Sequence, residues 1–399
     1  MASAAPAAPP TPATATAAPT ARSPRRPRGR RRAVLAATVA VAAMTAGAAA
    51  VPTVPAARPD AVQQRLDALV RQDGMPAALA GVTDRGGRTR HYTAGVADLT
   101  TGRQVPRDGR VRIGSNTKAF TAVVVLQLAG EGRIRLDASV DTYLPGLLRG
   151  DGTDGRRITV RRLLQHTSGL PDYLDQGEVI AHPRRYLEPR ALLDTALARE
   201  AEFPPGARWQ YSNTNYLVAG LIVQKVTGRP LGEEITRRVI DRIGLRHTSF
   251  PAPGDMTLPG RHPRGYHRPT PEGPLRDFTE LDPSWAWAAG AMVSTDGDLN
   301  RFYTALFAGR LLPAAQLAEM RTTVPADQAR PGLRYGLGVM SRPLSCGGVY
   351  WGHGGTIPGY ETLGGVTEDG RSANVTVTAI PTETGRRHLE AAVDTALCG

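Results

Sequence analysis

The sequence predicts an α/β protein carrying an inserted all-α lobe, and three observations lead there. Strand-like alternation gathers near both ends of the chain, at 77–96 and again beyond 335. Helical patterns fill most of the interval from about 150 to 285. A helix from Ala119 to Leu128 is too uniformly apolar for a surface position. A sheet built from both chain ends, with helices inserted, leaves a cleft between the two lobes.

In chain order, residues 1–32 are rich in Ala, Pro and Thr and end in a basic cluster from Arg22 to Arg32. An Ala-rich apolar run, Ala33 to Ala50, follows, with small residues suited to cleavage near Ala46-Gly47-Ala48 or Ala48-Ala49-Ala50. This is the layout of a secretory signal peptide over 1–50, so a secreted protein without a stable membrane anchor is expected. Arg31-Arg32 leaves a twin-arginine route open. Residues 51–59 read as a linker, and 60–399 as the folded domain, its α/β lobe at about 60–150 and 285–399.

Within that domain, Asp60 to Arg71 has helical spacing, and Ala77–Thr83 with Thr89–Val96 reads as a hairpin. Short helices are expected at Thr159–His166, Pro189–Arg199, Asn215–Thr227 and Leu231–Arg242, then an irregular covering loop at 251–283. Strands are expected again at Ala288–Val293, Tyr335–Met340, Gly348–His353, Tyr360–Val366 and Ala373–Ile380. Helices are expected from Asp296 to about Phe307 and at Glu383–Leu397.

The net charge of +13 overstates the basic character of this domain, because the first 50 residues hold seven arginines and no acid. The remaining arginines are interspersed with acids, without an aromatic-interleaved stripe, so no nucleic-acid partner is expected. Cys346 and Cys398 are an even pair in a chain read as exported, which favours a disulfide; two buried thiols fit export poorly. No His/Cys cluster has metal-ligand spacing and no P-loop or dinucleotide fingerprint appears, so neither metal nor cofactor is expected.

Chemistry concentrates at Gly114-Ser115-Asn116-Thr117-Lys118, where a short extended segment turns into the apolar helix. Ser115 stands at the helix start and Lys118, three residues on, shares its face. Helix dipole and burial both lower the pKa of a lysine there, as a base for a serine hydroxyl requires. Of 49 basic residues only Lys118 and Lys225 are lysines. Arginine cannot deprotonate in a protein, so Lys118 is marked out by its chemistry. Two further stretches are candidates. Tyr211-Ser212-Asn213 precedes a long helix, and His353-Gly354-Gly355-Thr356 ends a strand-like run whose glycines admit a substrate backbone.

In this order the three motifs, S-x-x-K, Y-x-N and H-x-G, resemble the serine β-lactamase and penicillin-binding-protein superfamily in its class C β-lactamase branch. The resemblance is nearest the secreted D-alanyl-D-alanine carboxypeptidases. It extends over about 58–399, through Leu136-Asp137-Ala138-Ser139-Val140, Ser168-Gly169-Leu170, Tyr335-Gly336-Leu337-Gly338 and Leu344-Ser345-Cys346-Gly347. It implies a β-lactamase/transpeptidase-like fold, an antiparallel sheet flanked by helices with a helical subdomain inserted.

It also implies Ser115 as nucleophile, Lys118 and Tyr211 sharing the proton work, and an oxyanion hole from the N–H groups of Ser115 and Thr356. Asn213 would bind the substrate amide beside Gly355, and His353 would bring positive or hydrogen-bonding character to the opposite wall. Trp285 reads equally as a pocket wall or a core tryptophan, and His166 as structural. The implied partners are peptidoglycan stem peptides, with β-lactams as covalent inhibitors.

Two positions depart from the carboxypeptidase pattern. Gly354 replaces a threonine, and Met340 stands where an arginine would face a substrate carboxylate; Arg342, on the same strand face, could compensate. Three readings follow: a D-Ala-D-Ala carboxypeptidase or transpeptidase; an esterase, D-amino-acid amidase or β-lactamase of the same fold; or a non-catalytic penicillin-binding module.

Overall fold

The computed structural model describes residues 60–270, 273–326 and 330–399. The expected signal peptide and linker lie outside them. Helix α1 (Ala61–Arg71) starts where the Asp60 carboxylate accepts the Val62 N–H at 3.0 Å, and it buries Val62, Leu66 and Leu69 along one stripe. The hairpin of β1 (Ala77–Thr83) and β2 (Thr89–Gly95) follows in the register Ala77↔Gly95 to Thr83↔Thr89. Helix α2 (Thr117–Gly130) buries every residue from Thr117 to Leu128. It packs with α3 (Thr214–Thr227) inside the larger apolar core.

Helix α4 (Asp296–Phe307), capped by Thr295, leads to the second half of the sheet. That half comprises β3 (Val324–Pro325), β4 (Arg334–Tyr335), β5 (Met340–Pro343), β6 (Val349–Ile357), β7 (Tyr360–Thr367) and β8 (Ser372–Val377), and α5 (Glu383–Cys398) closes the chain. The eight strands run β2-β1-β8-β7-β6-β5-β4-β3, antiparallel at every pairing, so the two chain ends meet where β1 pairs with β8. Helices α1 and α5 cover one face and α4 lies against the other. Asn300 ties α4 to the sheet, donating to Gly81 O at 2.9 Å and accepting from Asn374 Nδ2 at 2.8 Å. With both faces covered, β7 is buried along its whole length.

Three expectations are corrected. Ala288–Val293 is not a strand: Trp287–Gly290 forms a helical turn, and only Val293–Ser294 pairs, with Val111–Arg112. The carbonyls of Ala288 and Ala289 point instead at Thr121 and Lys118 of α2, at 2.9 and 2.8 Å. Tyr335–Met340 is broken into β4 and β5 because Gly338 takes φ +84° against α2, where a β-carbon would come within 2.4 Å of Ala122. The His353 motif does not end a strand; β6 runs through it to Ile357.

The 251–283 loop is held down by buried Arg112, whose guanidinium donates to Met256 O at 2.6 Å and to Thr279 O at 3.2 Å. A disulfide joins Cys346 to Cys398, pinning the end of α5 to the β5–β6 turn. Among the described residues no helix is long and apolar enough to cross a membrane.

Candidate active site

A 3₁₀ turn, Gly114–Asn116, precedes α2, and no side chain caps the helix start. The neighbours of Ser115 hold the turn. Thr117 Oγ1 donates to Gly114 O at 2.8 Å, and Asn116 Oδ1 accepts the Tyr303 hydroxyl at 2.8 Å. Ser115 is thereby left half-exposed, with its hydroxyl on a pocket of about 480 Å3.

Lys118 is fully buried. Its Nζ lies 3.0 Å from Ser115 Oγ, 2.7 Å from Asn213 Oδ1 and 2.8 Å from Ala289 O. An amide oxygen and a carbonyl can only accept, so they take two Nζ hydrogens in either protonation state. In the neutral amine the remaining position is a lone pair, and it faces the one partner able to donate, Ser115. Burial pushes Lys118 down to about 7, against the opposing pull of the Asp172 carboxylate.

Asp172 had no motif to announce it. It accepts Asn213 Nδ2 at 2.9 Å and the Leu174 N–H at 3.1 Å, and burial raises its pKa. Asn213 is thus engaged at both ends of its amide, and its oxygen is aimed at Lys118. The only local signal was position, next to Ser168-Gly169-Leu170-Pro171.

Tyr211 sits beside Ser115, and burial raises its pKa, so the phenol keeps its proton. Its ring stacks on His166, with centroids 4.3 Å apart. His166 is buried with φ +59°, and its Nδ1 accepts the Ser212 N–H at 3.2 Å and the Asn215 amide at 3.1 Å. Its proton therefore belongs on Nε2, 3.2 Å from the Tyr335 hydroxyl, which in turn donates to His353 Nε2 at 2.9 Å. That leaves the His353 proton on Nδ1, against Gly354 O at 2.5 Å. Burial, with Lys118 nearby, takes His353 down to about 3. The expectation of positive character at His353 is corrected: the ring is neutral and both nitrogens are occupied.

On the opposite wall, β7 pairs with β6 from Tyr350 to Ile357, whereas β5 pairs only from Val349 to Gly352. The other edge of 353–357 is therefore free of strand and borders the Ser115 turn. Gly355 makes the approach feasible, since a β-carbon there would stand 1.9 Å from Ile113 O. Trp285 lines the pocket from a 3₁₀ turn, its carbonyl accepting the Tyr173 hydroxyl at 2.6 Å. Thr356 lies at the same rim, its backbone against Gly114.

The far wall carries Met340 and three arginines. Arg342 and Arg330 each reach Glu390 at 3.1 Å, and Arg386 forms a two-point pair with Glu361 at 2.8 and 2.9 Å. Arg342 faces the pocket, as strand parity implied, but its charge is already met by Glu390.

The model of the beta-lactamase family matches residues 62–397. The chain is 30% identical over 326 residues to penicillin-binding protein 4 of Amycolatopsis lactamdurans, covering 78% of each. Among solved structures, a D-stereospecific amidohydrolase from Streptomyces sp. is 41% identical at a TM-score of 0.77, with 83% of this chain and 97% of that one covered. A D-amino acid amidase from Ochrobactrum anthropi SV3 is 28% identical at a TM-score of 0.75, covering 84% and 96%. The chain belongs to the beta-lactamase family. It is a serine hydrolase of the β-lactamase and penicillin-binding-protein superfamily.

Proposed function

We propose that the protein hydrolyses amides and esters of D-configured amino acids through an acyl-enzyme on Ser115. The observation that carries this reading is the 3.0 Å approach of a buried, readily deprotonated Lys118 amine to the Ser115 hydroxyl. Lys118 takes the Ser115 proton as Oγ attacks the carbonyl carbon. The Ser115 and Thr356 N–H groups receive the oxyanion, and the Tyr211 phenol protonates the departing amine and is reprotonated by the Lys118 ammonium beside it, which thereby returns to the free base. Water then releases the acid and restores Ser115.

Substrate preference follows from charge. A free carboxylate on the leaving side would meet Met340 and an arginine already paired with Glu390, and a charge-assisted bond forgone there costs roughly 1.5–3 kcal/mol. A carboxamide or ester loses less. On the acyl side, the Asp172 carboxylate suits an α-ammonium. The likeness to the D-stereospecific amidohydrolase supports the D configuration.

The test compares D- and L-phenylalanine amide, a D-phenylalanine ester and acetyl-D-Ala-D-Ala, with intact-mass detection of the acyl-enzyme in wild type and Ser115→Ala. Faster release from acetyl-D-Ala-D-Ala than from the D-amide would defeat the amidase reading. It would favour the carboxypeptidase or transpeptidase reading on stem peptides, with β-lactams as slow acylating ligands. That second reading draws on the likeness to penicillin-binding protein 4. Export is part of the proposal: the basic-then-apolar N-terminus and the disulfide both suit an oxidising compartment. N-terminal sequencing of protein from the culture medium checks it.

A further inference from the structure

A second cavity, of about 690 Å3, shares one wall with the Ser115 pocket. Along 283–291 the chain serves both: Trp285, Ala286, Ala289 and Gly290 line the Ser115 pocket, while Pro283, Ser284, Trp287 and Ala291 line the second. Trp287 holds φ +29°, a backbone conformation that residues with a β-carbon rarely adopt. Two residues on, Ala289 O is an acceptor of the Lys118 amine.

The second cavity has its own chemistry. Leu187, Leu231, Phe250, Pro283 and Trp287 give it an apolar and partly aromatic lining. Its charges are unevenly matched. Arg237 is held by Glu234 at 2.9 Å and Glu233 by Arg229, but the Asp241 carboxylate, on the lining and open to solvent, has no protein partner among the described residues. An open apolar groove with an unpaired, solvent-facing carboxylate complements a molecule with an apolar body and a cationic end.

We propose that this cavity binds a small organic amine bearing an aromatic or branched apolar group, and that its occupancy is transmitted to Ser115 through the shared 283–291 wall. The ammonium pairs with Asp241 and the apolar body lies against Phe250 and Trp287. Only the transmission rests on the hydrolase reading above.

The test titrates the full chain with 2-phenylethylamine, 2-phenylethanol and 3-phenylpropanoate, followed by tryptophan fluorescence and ligand-observed NMR. The amine should bind about tenfold more tightly than the alcohol, and the carboxylate most weakly. Asp241→Asn should reduce the amine to the level of the alcohol, and Phe250→Ala should weaken both. In p-nitrophenyl ester turnover, the amine should change kcat at least twofold, without competing with substrate, at the concentration that half-saturates binding.

Three results overturn the proposed ligand: no saturable binding, equal binding by Asp241→Asn, or competitive inhibition abolished by Asp172→Asn, which would put the amine at Ser115. Binding without any change in kcat overturns the transmission. A protein inert toward the ester overturns the hydrolase reading alone, with the binding titration still deciding the cavity.

Discussion

Lys118 supplies the sharpest quantitative prediction. Its pKa falls from the ordinary 10.5 to about 7, a difference of roughly 5 kcal/mol between protonation states at 1.36 kcal/mol per unit. Half the molecules then carry the free base near pH 7. Each unit below that removes tenfold, so acylation by a p-nitrophenyl ester, measured by stopped flow from pH 5 to 9, should climb tenfold per unit and level off above 7. Lys118→Arg, which cannot deprotonate, should lose the limb and about 10²–10⁴ in rate.

The same group makes a stability prediction of opposite character. Its folded pKa lies below its unfolded one, so between about 7 and 10.5 the unfolded chain binds the extra proton and wild-type stability rises with pH. Below about 7 the penalty is present in full. Lys118→Met should lack this slope. Its absolute stability at pH 7 should change little, because two orphaned acceptors, Asn213 Oδ1 and Ala289 O, at about 1–3 kcal/mol each offset the relieved burial. Guanidinium melts of both proteins at pH 6, 8 and 10 read the difference. A wild-type acylation rate flat from pH 5 to 7, or a midpoint near 10, refutes the reasoning.

Other perturbations test the surroundings. His166→Phe keeps a ring under Tyr211 but removes the acceptor for Ser212 and Asn215; kcat should fall about 10²-fold with KM changed far less, and His166→Asn, which tolerates the left-handed backbone, should recover part of it. Cys398→Ser should cost up to about 4 kcal/mol on the chain-entropy model, read as a lowered melting temperature that reductant no longer changes. Glu390→Gln releases Arg342, while Arg330 keeps Glu383 at 3.0 Å, and should raise kcat/KM for acetyl-D-Ala-D-Ala relative to its C-terminal amide by about tenfold; an unchanged ratio would show that Arg342 does not choose the leaving group.

How much of this was legible from residues depended on whether the signal was local. The apolar run after Ser115 announced a buried helix, and the scarcity of lysine made Lys118 conspicuous within it. The alternation at 349–377 announced strands, which the sheet contains. Features decided by distant partners were not legible. Asp172 acts on Lys118 through Asn213, 41 residues away, and has no motif of its own. The turn at Trp287 reads as strand by composition, yet its carbonyls are claimed by α2. The neutrality of His353 follows from burial and from the Tyr335 hydroxyl, neither visible in H-x-G.

The network around Ser115 also explains why a single proton can dominate its chemistry. Tyr211 and Tyr335 are held protonated by burial, and His166 and His353 are held neutral by it. In the chain from His166 through Tyr335 to His353, every hydrogen has one assigned place, and it ends on backbone. Around Ser115, these four groups are removed from titration near neutral pH, whereas Lys118 is brought into it. Such a chain rigidifies the wall on which Tyr211 rests without offering a competing base. The charged groups of the far wall, Arg330, Arg342, Arg386, Glu361 and Glu390, are paired among themselves and with Glu383. Substitutions there can change which leaving group is accepted while leaving the Ser115–Lys118 geometry intact, because the two sets of contacts have no residue in common.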